Sequence, residues 1–145
     1  MRILVTGAAG FIGSHLTRSL LSSGHQVVGL DDLSTGFETN LPPAQSGWRF
    51  LRGDIRDERV CLQATEDADA VVHLAGRNSV PRSIDDPRSA YEVNVLGSLN
   101  VFSAAREHGV KRVVYASSSS VYGDDPAMPK KESQTLRPLS PYAAS

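Results

Sequence analysis

Short apolar runs alternate along this chain with amphipathic stretches at helical spacing. The extended runs fall near Ile3 to Thr6, Gln26 to Asp31, Trp48 to Arg52, Ala70 to Ala75 and Arg112 to Ser117. Each is short, rich in branched apolar residues and bounded by turn formers, which is the pattern of buried strands. Between the first two, Ile12, Leu16, Leu20 and Leu21 share one face of a helix expected from about Gly10 to Ser23, with Gly24 closing it. A longer helix is expected after Asp86-Pro87, where proline suits a first turn. It continues through Tyr91, Val95, Leu99 and Phe102 to Gly109, and its length implies a second surface to cover. Asp57 to Thr65 is a weaker helical stretch, and Leu33 to Gly47, with Gly36, Pro42 and Pro43, reads as loop. Thr135 to Ser145, with Pro138 and Pro141, reads as a connection leading to a helix beyond these residues. There is no internal repeat. Alternation of this kind predicts βαβ units, an α/β fold with a doubly wound parallel sheet of about five strands.

Composition narrows the picture. With 145 residues, 40% hydrophobic and 21% charged, the chain is long enough for one core and too short for two domains. Its 15 basic and 16 acidic residues leave a net charge of -1, so there is no basic field to favour nucleic acid or an anionic membrane surface. No apolar run approaches the ~20 residues that span a bilayer. Cys61 is the only cysteine, which excludes an intrachain disulfide, and the N-terminus lacks a basic segment followed by an apolar signal core. The expectation is a soluble protein of the cytoplasm. His15, His25, His73 and His108 share no metal-ligand spacing, so no metal site is expected, and Cys61 reads as packing.

The first strand runs directly into Gly7-Ala-Ala-Gly10-Phe-Ile-Gly13. A right-handed crossover puts this turn at the carboxyl end of a central strand, where a pyrophosphate meets the free N–H groups of a helix N-terminus. The spacing is G-x-x-G-x-x-G rather than the commoner G-x-G-x-x-G, and taken alone it also serves a tight strand-to-helix turn. Asp31 changes the balance. It ends the second strand 18 residues beyond Gly13, where a carboxylate accepts the hydroxyls of an adenosine ribose. A 2'-phosphate would be repelled there, and no Lys or Arg occurs between Leu30 and Asn40 to neutralise one, so NAD is favoured over NADP. The other reading of Asp31-Asp32 is an acidic turn after a strand.

Seven ordered motifs span the chain: Thr6-Gly-Ala-Ala-Gly-Phe-Ile-Gly13, Leu30-Asp-Asp-Leu-Ser-Thr-Gly36, Gly53-Asp-Ile-Arg-Asp57, His73-Leu-Ala-Gly76, Asn94, Ser117-Ser-Ser-Ser-Val-Tyr-Gly123 and Ser140-Pro-Tyr-Ala-Ala-Ser145. In these the sequence resembles the extended short-chain dehydrogenase/reductase superfamily, with its Rossmann-type NAD-binding domain, and within it the NAD-dependent sugar-nucleotide epimerases. The resemblance implies that Gly7, Gly10 and Gly13 admit the pyrophosphate and that Phe11 and Ile12 offer it backbone N–H groups. It places Asp31, Asp32, Leu33, Ser34, Thr35 and Gly36 around the adenosine ribose and Asp54 with Ile55 at the adenine. Leu74, Ala75 and Gly76 would pass beneath the cofactor, and Asn94 would lie near it; Asn94 also reads as a polar residue on an exposed helix face.

By the same resemblance Ser118 and Tyr142 match the serine and tyrosine of a Ser-Tyr-Lys constellation. Oxidising an alcohol requires a base beside its oxygen while hydride leaves the same carbon. A phenol with the ordinary pKa of about 10 is only about one part in a thousand ionised at pH 7, and neighbouring positive charge, a lysine and the nicotinamide ring, favours the phenolate. Ser118 would orient the reacting hydroxyl; it is chosen from four consecutive serines by alignment on Val121-Tyr122-Gly123. Taken alone, the serine run reads as a loop bonding its own backbone and Tyr142 as a packing aromatic. Ser145 lies one residue before the place of the lysine in a Tyr-x-x-x-Lys motif. The expectation is therefore an incomplete NAD-binding domain, residues 1 to 145, of a larger enzyme whose sixth strand and substrate domain lie elsewhere, inactive alone.

The segment after the fifth strand carries Ser-Ser-Ser at 117 to 119, where sugar-nucleotide 4,6-dehydratases resemble one another in placing Thr-Asp-Glu. Ser79-Val-Pro-Arg-Ser-Ile84 with Leu139-Ser-Pro-Tyr142 looks most like UDP-hexose 4-epimerases, particularly those taking N-acetylated sugars. The implied function interconverts the C4 epimers of a UDP-sugar through a 4-keto intermediate, in a parent expected to be a homodimer. Ser79, Arg82 and Ser118 would face the substrate; Arg82 also reads as a solvated charge. The alternatives are a UDP-glucuronate decarboxylase or epimerase, and a non-catalytic NAD-binding fragment.

Overall fold

The computed structural model describes residues 1–145. Five strands, β1 (Arg2–Thr6), β2 (Gln26–Asp31), β3 (Trp48–Arg52), β4 (Ala70–His73) and β5 (Arg112–Tyr115), form one sheet in the order β3-β2-β1-β4-β5. Every pairing is parallel, with Ile3 opposite Val27 on one side and Ala70 on the other. The chain winds outward from β1 in one direction and then in the other, so the order reverses beside β1. That is where ligands bind in open α/β sheets.

Alternation along β1 splits the core in two. Ile3 and Val5 join Ala8 and Val27 under Leu16, Leu20 and Leu21 of α1 (Phe11–Ser22). Leu4 points the other way, into a larger cluster with Val28, Leu30, Val71 and residues from α2 (Glu58–Thr65) and α5 (Ser98–Glu107), among them Cys61, Ala64, Val101, Ala104 and Ala105. Cys61 is packing, as expected; burial pushes its thiol up to about 12.

Several boundaries differ from expectation. β4 ends at His73 rather than Ala75, and β5 at Tyr115 rather than Ser117, because both chains leave the sheet to line a cleft. The segment Val80–Asp85 is a short helix, α3, capped by Ser79 with Pro81 in its first turn. The expected long helix is three pieces: α4 (Pro87–Tyr91), a π-helical stretch Glu92–Gly97, and α5. The loop after β2 contains a single 3₁₀ turn, Glu38–Asn40, and another, Ser119–Tyr122, follows β5. The last connection, expected to lead to a helix beyond these residues, already forms its first turn, α6 (Pro141–Ala144), because Ser140 caps it: its Oγ accepts from the Ala143 N–H at 3.1 Å. No helix is long and apolar enough to cross a membrane.

Candidate functional site

A cleft of about 690 Å³ opens at the carboxyl ends of the central strands. Its floor depends on glycine. Gly7 sits at φ +70°, and a Cβ there would lie 2.8 Å from the Ala75 nitrogen and the Leu74 carbonyl carbon. A Cβ at Gly36 would meet Ala9 at 2.8 Å. The loops after β1, β2 and β4 therefore interlock backbone against backbone, which side chains would forbid. Gly10 caps α1 without a side-chain bond, and the first turn carries no acidic residue. The opening N–H groups of α1, at Phe11, Ile12 and Gly13, thus lack intrahelical partners and suit an anion.

Carboxylates gather where β2 and β3 end. Asp31 accepts the Ala9 N–H on one oxygen at 2.9 Å and the Leu33 N–H on the other at 2.8 Å, and it is 9% exposed. It ties the first glycine loop to the second strand while keeping lone pairs for a ligand, since a carboxylate has about four. Leu33 makes that bond at φ +61°, a left-handed conformation rare for leucine. Asp32 caps its own turn through the Ser34 N–H at 2.8 Å. Asp54 is gripped by the Arg56 guanidinium, Nε at 2.9 Å and Nη2 at 2.6 Å, and this hydrogen bonding holds its carboxyl below the usual range. Ile55 is fixed from both sides: its carbonyl accepts from Asn100 Nδ2 at 3.0 Å, and Gly97 leaves room for its side chain.

The opposite end is held by a chain of hydrogen bonds. Thr6 Oγ1 accepts the Leu74 and Ala75 N–H groups at 3.2 and 3.1 Å, so its own proton goes to His73 Nδ1, 2.6 Å away. That assigns the proton of neutral His73 to Nε2, which donates to Ser98 Oγ at 2.9 Å, and Ser98 donates to the Asn94 carbonyl. Burial depresses His73 to about 4, which keeps this neutral tautomer at physiological pH. Asn94, inside the π-helical stretch, accepts the Arg77 N–H at 2.7 Å and donates to the Arg77 carbonyl at 3.1 Å and to Ser145 Oγ at 2.9 Å. It is half-buried and fully engaged rather than on an exposed face.

Those bonds also place Tyr142. Its N–H donates to Ser83 Oγ at 3.0 Å, and Ser145 Oγ donates to its carbonyl at 3.0 Å. Tyr142 and Ser118 line the same cleft as the glycine loop. Ser118 Oγ caps the 3₁₀ turn after β5, accepting the Ser120 N–H and donating to Ser120 Oγ, both at 3.2 Å.

The cleft is lined by Gly7, Gly10, Phe11, Ile12, Asp31, Asp32, Ser34, Thr35, Gly36, Asp54, Ile55, Leu74, Ala75, Gly76, Asn94, Ser118 and Tyr142, all anticipated from sequence. Four anticipated residues do not line it. Gly13 packs on the Gly7 carbonyl, and Leu33 lies behind Asp31. Ser79 and Arg82 border a neighbouring cavity of about 240 Å³. Sequence reasoning missed Gly53, His73, Arg77, Asn78, Ser98, Phe102 and Tyr115, which line the cleft, and Ser83, which holds Tyr142. Arg77 and Asn78 directly follow the His73-Leu-Ala-Gly76 motif and were within reach of it, and Ser83 lies inside Ser79-Val-Pro-Arg-Ser-Ile84; Ser98 carries no signal in the sequence.

A dinucleotide fits this arrangement: a glycine cradle closed to any Cβ, unpaired N–H groups at one helix end, and carboxylates where riboses would lie. Comparison with known proteins agrees. The family model described as "NAD dependent epimerase/dehydratase family" matches residues 3–145. A UDP-glucose 4-epimerase of Mycolicibacterium smegmatis is 49% identical over 99% of this chain, which spans 47% of that relative. Among solved structures, the Thermus thermophilus UDP-glucose 4-epimerase in complex with NAD superposes with a TM-score of 0.91 at 43% identity, over 99% of this chain and 47% of that one. DesIV, a dTDP-glucose 4,6-dehydratase from Streptomyces venezuelae with NAD bound, superposes at 0.93 with 41% identity, over 99% of this chain and 48% of that one. The chain thus spans about half the length of these relatives, and across that half it belongs to the NAD-dependent epimerase/dehydratase family.

Proposed function

We propose that this chain is the NAD-binding part of a sugar-nucleotide epimerase that interconverts the C4 epimers of a UDP-hexose through a 4-keto sugar. One observation carries the reading: Ser118 and Tyr142 line the same cleft as the glycine loop. NAD bound there would supply reversible hydride acceptance from the sugar carbon. Asp31 and Asp32 would hold the adenosine ribose, and the α1 N–H groups the pyrophosphate. Tyr142 would take the proton of the 4-hydroxyl, and Ser118 would orient that hydroxyl through a hydrogen bond. The Thr6–His73–Ser98–Asn94 chain would fix the turn that carries Tyr142.

Epimerisation is favoured over dehydration by the distribution of acids. The carboxylates lining the cleft, Asp31, Asp32 and Asp54, follow β2 and β3, whereas the residues that line it after β5, among them Ser117 and Ser118, include no acid. Eliminating water from the sugar needs an acid there. These 145 residues by themselves are expected to bind cofactor without turnover, since no lysine lines the cleft to favour the phenolate. The test uses a protein extended to the length of its relatives. It should interconvert a UDP-hexose and its 4-epimer without net NADH release, and Tyr142→Phe should remove most of the rate, with Ser118→Ala assayed beside it. Turnover of UDP-glucuronate with loss of carbon dioxide, or full activity in Tyr142→Phe, would replace this reading.

A further inference from the structure

The first turn of α6 satisfies all but one of its own N–H groups. Pro141 has none to offer, the Ala143 N–H goes to Ser140 Oγ at 3.1 Å, and the Ala144 N–H goes to the Ser140 carbonyl at 3.0 Å. The Tyr142 N–H is left over, a donor that the turn cannot satisfy from within and that is costly to bury unpaired. Its partner comes from 59 residues away in the chain: Ser83 Oγ, on α3, accepts it at 3.0 Å. Ser83 is suited to that one role. It is 3% exposed, so water does not compete for it, and its own proton is committed to the Val80 carbonyl at 2.7 Å, which leaves the oxygen as an acceptor.

This is the only hydrogen bond that joins Tyr142 itself to another element. The bond to its carbonyl comes from Ser145 Oγ, at the end of the same turn, and Asn94 holds that serine rather than the tyrosine. The reacting oxygen of a tyrosine sits at the far end of a rigid ring, so a small tilt of the backbone nitrogen and Cα is magnified at the hydroxyl. Tyr142 lines the cleft together with Ser118, while Ser83 borders the neighbouring cavity with Ser79 and Arg82 of the same segment. We infer that Ser83 is a positioning residue for the proposed reaction: by fixing the Tyr142 N–H it sets where the phenol stands in the cleft, and so the alignment of base and sugar hydroxyl. The inference rests on reading Tyr142 as the base.

The experiment uses the protein extended to the length of its relatives, assayed with a UDP-hexose. Ser83→Ala should lower kcat at least about tenfold, while KM and the NAD bound per chain stay within about twofold of the parent, because a misplaced reacting group loses rate rather than binding. Ser83→Thr keeps a hydroxyl able to bond the same helical carbonyl and should recover most of kcat. In a Tyr142→Phe background Ser83→Ala should cost nothing further, since the residue it acts through has already lost its reacting oxygen. Ser83→Cys, a weaker acceptor, stands in if Ser83→Ala does not fold, with the same pattern expected. A parallel fall in kcat and bound NAD would make Ser83 merely structural and overturn the assignment. A further loss in the Tyr142→Phe background would overturn it too, since Ser83 would then act independently of the tyrosine. Full activity in Tyr142→Phe would remove the base and Ser83 with it, whereas an inactive Tyr142→Phe beside an unimpaired Ser83→Ala would remove Ser83 alone.

Discussion

Asp31 ties two loops together in the structure, a job separate from the ribose contact proposed for it, and only the proposed one is legible in the sequence. Its place after the second strand, downstream of a glycine turn, marks it as a ribose contact; nothing in the order of residues reveals that it also bonds the Ala9 and Leu33 N–H groups. Those bonds depend on loops meeting in space, and a local pattern does not record such meetings. The same holds for Ser98, identified only by the bonds that join it to His73 and Asn94. Asp31 nevertheless sets the expected cofactor choice. Its charge opposes a 2'-phosphate, and Arg56, in the loop after β3, is engaged by Asp54 and Glu92. NAD should therefore bind at least about tenfold more tightly than NADP, a difference of ~1.4 kcal/mol. Asp31→Asn should narrow that ratio in parallel titrations, because the amide keeps an acceptor and loses the charge. Equal affinities in the parent chain would take the ribose away from Asp31.

At the scale of elements, the strands and first helix follow from periodicity, while the departures cluster around the cleft. The helix after Pro87 was legible as apolar residues at Tyr91, Val95, Leu99 and Phe102, but a period near 3.6 does not report the wider turn over Glu92–Gly97. That turn carries Asn94, whose side chain spans to Arg77 and Ser145, and whose carbonyl receives Ser98. α3 was not anticipated, although Ser79 with Pro81 two residues on is a helix-start signal. The network behind these elements is sensitive to acid. His73 is depressed in the folded protein to about 4 by burial, against about 6.5 when unfolded. Between those values the unfolded chain binds the extra proton, so stability falls as pH drops from about 6.5 toward 4 and is fully present above that window. The contribution is on the order of 3 kcal/mol. Urea midpoints taken across this window should fall more steeply for the parent chain than for His73→Asn, which cannot titrate; parallel slopes would show that His73 is already free to protonate in the fold.

Considered as a whole molecule, the chain covers one end of its sheet poorly. β1 and β2 are sealed on both faces, whereas β5 has β4 as its only neighbour and is exposed along its length, Val114 to 53% and Tyr115 to 64%. Tyr91, Val95 and Leu99, spaced four apart on the long helix, are exposed as well, at 43%, 39% and 57%. An unpaired parallel edge beside apolar side chains offers main-chain hydrogen bonds and hydrophobic area together, the combination that drives edge-to-edge association. The sequence announced the helix stripe, since its length exceeded what one sheet face needs. It did not announce the state of β5, whose apolar pattern is that of a strand buried on both sides. We expect these 145 residues to self-associate in proportion to concentration, with light scattering giving masses above 15.6 kDa. Charge placed on either surface should separate the two contributions. Val114→Lys should lower the mass if the strand edge dominates. Val95→Lys with Leu99→Lys should lower it if the helix stripe does. A sharp, concentration-independent monomer of high thermal stability would mean that neither surface is under pressure to be covered, and that the sheet is complete with five strands.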